Sequence, residues 1–168
     1  ALFAKSRSFI AFLKTTSRAA AQIRQTDLAW LLPPKLRSKG RFQGITEVAK
    51  WARKILDFIG GKGKAEDNSD LGKARKTFAG LAKLRPFLNR FCHTCSITEL
   101  FLELMKTQGL NETTYSHAND VLAKLPKRSL VRMRLSTWLE KHIKIHRALA
   151  IGQLPLLVST DAIECLFG

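Results

Sequence analysis

Acidic residues are scarce in this chain: 13 Asp and Glu stand against 29 Lys and Arg, a formal charge of +16, and none occurs before Asp27. So lopsided a balance excludes a surface of mutually neutralising ion pairs and points to an anionic partner, nucleic acid first. Long apolar runs are also missing. None approaches the roughly 18 to 20 consecutive apolar residues that a membrane-spanning helix requires, which excludes an integral membrane protein. The three cysteines, Cys92, Cys95 and Cys165, make no even framework, and nothing resembles a secretory signal. Free thiols in a reducing compartment are therefore expected. There is no internal repeat, no Gly-rich phosphate loop and no GxSxG or HExxH motif, so the usual small-molecule chemistries have no signature here.

What is present suffices for a core, since 45% of the 168 residues are hydrophobic. Most of them recur at helical spacing. From Ser6 to Gln25, Phe9, Ile10, Phe12, Leu13, Ala20 and Ile23 alternate with Lys14, Arg18 and Arg24, the pattern of a basic amphipathic helix. Pro33 and Pro34 forbid its continuation, and Lys35 to Arg41 then places four cations in seven residues, an exposed basic loop. Thr46 and Glu47 open a second helix with the stripe Val48, Trp51, Ala52, Ile55, Leu56 and Ile59, while Lys50, Arg53 and Lys54 take its other face.

Residues 60–72 read as a mobile linker, Gly- and Lys-rich with almost nothing apolar. Beyond it, helices are expected over Leu71 to Leu84, Pro86 to Phe91 and Ile97 to Met105. Asn111, Thr113 and Thr114 cap another over Tyr115 to Leu125, and Ser129 caps the longest, reaching about Ala150. In that last helix Val131, Leu135, Trp138, Leu139, Ile143 and Leu149 form one side, and Arg128, Arg132, Arg134, Lys141, Lys144 and Arg147 crowd the rest. The run Leu154 to Val158 then suits a short buried strand, with Ser159, Thr160 and Asp161 capping a helix that carries Glu164. The fold expected is mainly α: a basic helical bundle over residues 1–150, followed over 151–168 by a short strand and a helix start.

Several features have competing readings. Ala1 to Thr26, rich in Ser, Ala, Lys and Arg, has the composition of an organellar leader. Against this, the absence of an initiator Met at Ala1 and the abrupt ending at Gly168 read as cut points within a longer sequence. Cys92 and Cys95, with His93 between them, have zinc-ligand spacing, yet only the distant His117, His142 or His146 would complete a tetrahedral site, so helix packing is the better reading. Trp51 and Trp138 fall on apolar stripes, whereas Trp30, just before Pro33, is the freer indole for stacking on bases.

Three sets of residues resemble parts of one family, the bacterial insertion-sequence transposases with an Asp-Asp-Glu metal triad. Ser159 to Gly168, with Asp161-Ala162-Ile163-Glu164-Cys165-Leu166-Phe167-Gly168, is similar to the motif bearing the last acidic residue. Phe9 to Leu13, Gln25 to Phe42 with Leu31-Leu32-Pro33-Pro34-Lys35-Leu36-Arg37, and Val48 to Leu56 look like the region after the second catalytic aspartate. Arg132 to His142 is similar to the helix that precedes the glutamate motif. The resemblance spans nearly the whole chain in order, although Thr160 stands where some of these proteins have Arg.

That resemblance implies a ribonuclease-H-like nuclease core interrupted by a helical insertion, with this chain being mostly the insertion. It makes Glu164 the final catalytic carboxylate and Mg²⁺ ligand, with Asp161 as an accessory ligand, in a cytoplasmic bacterial protein that dimerises on transposon ends. Phosphodiester cleavage and strand transfer use carboxylates holding two Mg²⁺ ions about 3.5 to 4 Å apart. Asp27, Asp57, Asp67 and Asp70 match neither of the family's aspartate motifs, so the other ligands are expected before Ala1. The cations expected to meet DNA phosphates are Lys35, Arg37, Lys39, Arg41, Arg53, Arg128, Arg132, Arg134, Lys141 and Lys144. The alternative is a non-catalytic basic helical module that binds nucleic acid.

Overall fold

The computed structural model describes residues 6–35, 41–60 and 69–159. The described residues form six α-helices and one 3-10 turn, with no strand: α1 Arg7–Ile23, the turn Ala29–Leu31, α2 Arg41–Gly60, α3 Asp70–Ala82, α4 Arg85–Gln108, α5 Glu112–Ala123 and α6 Leu130–Ala148. The chain is mainly α, as its periodicity requires. It divides into two compact units, the described residues to Cys92 and those from His93, with the break inside α4.

Helix starts follow their capping chemistry. Ser6 accepts from the Phe9 amide at 3.4 Å, and Ser69 from the Gly72 amide at 3.1 Å. Asn111 and Thr114 exchange side-chain to backbone bonds at 2.9 and 2.8 Å, a reciprocal capping box, and Ser129 accepts from the Arg132 amide at 3.4 Å. Each cap satisfies an amide that the first helical turn leaves without a backbone partner.

In the first unit α1 and α2 both pack on α3. The α1 crossing is close because residue 80 is glycine: a Cβ there would lie 2.7 Å from Thr15 Cγ2. Phe9, Phe12 and Phe91 are buried together with ring centroids 5.7 to 6.1 Å apart, and Phe78 meets Trp51 edge-on at 6.0 Å. Such tilted aromatic pairs add about 0.5 to 1.5 kcal/mol each beyond their burial.

In the second unit α5 packs on α6 around Phe101, Leu122, Leu135, Leu139 and Ile143, all fully buried, and Phe101 contacts Trp138 edge-on at 6.0 Å. Arg147 forms a bidentate bond with Glu112 at 2.7 and 2.9 Å and lies over the Tyr115 ring, whose hydroxyl donates to Glu140. This arrangement joins the start of α5 to the end of α6.

Four expectations are corrected. The helix beginning near Ser6 stops at Ile23 rather than near Leu31 to Pro34, because the Thr26 hydroxyl donates to the Ile23 carbonyl at 3.0 Å and turns the chain into the 3-10 segment. The second helix starts at Arg41, not Thr46, so its first turn precedes the apolar stripe. The two segments expected over 86–91 and 97–105 are one helix, α4, which at 24 residues exceeds the 19 of α6. Residues 154–158 form no strand: Leu156 alone pairs, in an isolated antiparallel bridge with Leu110, while Leu154 and Leu157 are exposed. Pro155 lacks the amide that a strand would need there. Of the expected linker, residues 61–68 lie outside the described residues, and Asp70 to Gly72 already belong to α3.

Candidate nucleic-acid interface

The clearest cationic surface is on α1, which contains no acidic residue. Arg7, Lys14 and Arg18 are all exposed, and at i, i+7 and i+11 they fall on one narrow stripe of a helix with 3.6 residues per turn. The buried residues Phe9, Phe12, Thr16, Ala19, Ala20 and Ile23 take the opposite side. The stripe spans about 16 Å at 1.5 Å per residue, a length matched to several phosphates along a nucleic-acid strand. None of the three has an acidic partner among the described residues. This row is not among the phosphate contacts expected from sequence, although its spacing is visible there, because the apolar pattern of the same helix is the stronger signal.

The expected contacts separate into groups. Lys35 is exposed just after the 3-10 turn, and Arg53 is exposed on α2. Arg37 and Lys39 lie outside the described residues, and Arg41 is the first residue of α2. In the second unit Arg128 is exposed ahead of α6, and Arg134, Lys141 and Lys144 are exposed along one side of that helix. Arg132 is different: half-buried, it donates to the Leu125 carbonyl at 2.9 Å and the Ala123 carbonyl at 3.5 Å, and so caps the end of α5.

Some cations are drawn toward carboxylates: Lys50 to Glu47 at 3.5 Å, Lys73 to Asp70 at 3.8 Å, and Arg147 to Glu112. The Arg147 hydrogen bond holds the Glu112 carboxyl below the usual carboxylate range. By contrast Lys14, Arg18, Arg24, Lys54, Lys127, Arg128, Lys141 and Lys144 have no acidic partner among the described residues. The first unit also has a cleft of ≈ 290 Å³ lined by Gln22, Thr26, Asp27, Asp70, Lys73 and Thr77. Its two carboxylates make it unsuited to phosphate.

Among the described residues no three His, Cys, Asp or Glu side chains are placed to hold a metal ion. Asp161 and Glu164 lie outside the described residues. Cys92 and Cys95 are buried free thiols, and Cys92 Sγ donates to the Ala49 carbonyl at 3.2 Å. Burial pushes the Cys92 thiol up from its ordinary value, against a smaller opposing effect of Arg53. Neutral, buried thiols react slowly. Both are expected to resist an alkylating reagent in the folded protein and to react on unfolding; rapid native-state labelling of Cys92, read by mass spectrometry, would contradict its packing against α2.

Among the described residues no helix is long and apolar enough to cross a membrane. No family model, curated protein or solved structure matches the chain.

Proposed function

We propose that this chain is the helical, DNA-gripping part of an Asp-Asp-Glu transposase, and that Glu164 is its contribution to the parent protein's Mg²⁺ site. The observation that carries DNA binding is the Arg7, Lys14 and Arg18 stripe, three exposed cations in register on a helix face without a carboxylate. The transposase assignment is supported by the motif ending in Glu164 and by the segments from Gln25 to Phe42 and Arg132 to His142. Bound Mg²⁺ would supply Lewis-acid stabilisation of a phosphodiester under attack. The described residues assemble no such site, so no cleavage step is assigned to this chain.

Binding to duplex DNA is therefore expected to weaken steeply with salt. Three to six phosphate contacts at about 0.9 each give a slope of log affinity against log salt between about −3 and −5. A slope near zero in a fluorescence-anisotropy titration would remove the phosphate argument. With Mg²⁺ supplied, the chain is expected to leave supercoiled DNA intact. A nicking activity that survives Glu164→Gln would take the catalytic assignment away from that residue.

A second reading, a non-catalytic nucleic-acid-binding module, is favoured by the exposed cationic faces of α1 and α6, which need nothing from residues 160–168. The parent reading frame separates the two: an Asp shortly before Ala1, another farther upstream and a Lys soon after Gly168 belong to the transposase alone.

A further inference from the structure

Trp30 is 68% exposed, the most exposed aromatic ring among the large hydrophobic residues described, and it is not loosely held. Its neighbours Leu28 and Leu31 are each 4% exposed, so the 3-10 turn is pinned into the core on both sides of the indole. The Thr26 hydroxyl accepts from the Leu28 amide at 3.2 Å. The Leu31 amide donates to Leu28 at 2.9 Å and the Leu32 amide to Ala29 at 3.1 Å. The indole N–H of Trp51 donates to the Leu31 carbonyl at 3.0 Å, tying the turn to α2. The Trp30 ring itself meets Phe58 of α2 edge-on, with centroids 5.8 Å apart at 81°.

An indole held in solvent by a turn this well fixed has little conformational freedom left to lose on binding. Preorganisation of that kind favours affinity. The flanking charge is cationic: Lys54 lies one turn before Phe58 on the same helix face, Arg24 precedes the turn and Lys35 follows the two prolines, and all three are exposed. A rigid aromatic ring beside phosphate-binding cations is the arrangement by which proteins hold single-stranded nucleic acid, with a base on the ring and the backbone on the charges. A duplex keeps its bases stacked inside and offers such a ring nothing.

We infer that Trp30 is a stacking platform for an unpaired DNA base, so that the first unit prefers single-stranded or frayed DNA to intact duplex. This rests on the nucleic-acid reading above, and the test keeps the two separate. The intact chain is titrated by anisotropy with a labelled oligothymidylate and with a mixed-sequence duplex, for the natural protein and for Trp30→Ala, Trp30→Phe and Lys54→Gln. Trp30→Ala is expected to weaken oligothymidylate binding about five- to a hundred-and-fifty-fold, from a stacking contribution of about 1 to 3 kcal/mol per base. Duplex binding should change less than about twofold, and Trp30→Phe should retain most of the single-strand affinity, since any aromatic face stacks. Lys54→Gln should lower both affinities and the salt slope.

Three results overturn the inference. Unchanged oligothymidylate binding by Trp30→Ala leaves the ring without a base. An equal loss on both DNAs makes Trp30 a support for the turn instead. A failure of the natural protein to bind either DNA removes the nucleic-acid reading as well, whereas salt-dependent binding indifferent to Trp30 removes the stacking alone.

Discussion

Replacing Arg7, Lys14 and Arg18 together by glutamine is expected to weaken duplex binding roughly five-hundredfold at about 0.1 M salt. Each phosphate contact adds about 0.9 to the salt slope, hence about 0.9 decade of affinity at a tenth-molar salt, and three contacts give about 2.7 decades. The slope should become shallower by about 2.7 at the same time. Folding should be untouched, because all three side chains are exposed on the side of α1 opposite its buried residues. The comparison is the double change Lys50→Gln and Lys73→Gln, whose ammonium groups already lie 3.5 and 3.8 Å from carboxylates. It should move the slope less per charge removed. Equal effects per charge would mean that net charge alone, and not a row of contacts on α1, attracts DNA.

Much of this surface is legible in the amino-acid sequence, because a helix reveals itself when polar and apolar residues segregate at a fixed period. The caps at Ser129 and Asn111 and the apolar stripe of α2 need no tertiary information. Other features do. The run Cys92-His93-Thr94-Cys95-Ser96 looks like a polar break, yet the helix continues because Cys92 and Cys95 are buried and act as small apolar groups. Leu154 to Val158 has a strand's composition, but it leaves a turn at Gly152, with φ +63, Pro155 has no amide to pair, and only Leu156 finds a neighbour. Arg132 looks like its cationic neighbours in sequence; only the folded chain shows its guanidinium donating to the carbonyls of Ala123 and Leu125. The expected metal carboxylates Asp161 and Glu164 rest on motif resemblance and lie outside the described residues.

The second large effect is expected at Gly109. Its φ of +66 is a conformation that costs other residues about 1 to 2 kcal/mol. Space is short there too: an added Cβ would lie 2.8 Å from Pro155 Cβ and 3.1 Å from the Leu156 carbonyl oxygen. Neither neighbour yields easily, one being a proline ring and the other backbone held by paired bonds, Leu110 N–H to Leu156 O at 2.9 Å and Leu156 N–H to Leu110 O at 2.8 Å. Crowding a packed site adds about 1 to 3 kcal/mol. Gly152 separates the two causes, since its φ is +63 but nothing lies within 4 Å of its Cβ position. Gly152→Ala should therefore cost only the backbone strain, and Gly109→Ala about twice as much or more, measured by urea unfolding followed by far-ultraviolet circular dichroism. The excess should coincide with faster hydrogen exchange at the Leu110 and Leu156 amides. Equal costs would show that the Leu110 to Leu156 contact contributes nothing. An excess would show that this contact, with His146 bonded to the Leu154 carbonyl at 2.9 Å and Asn111 donating to the Gln153 carbonyl at 3.3 Å, fixes residues 153–156 against the second unit's helices.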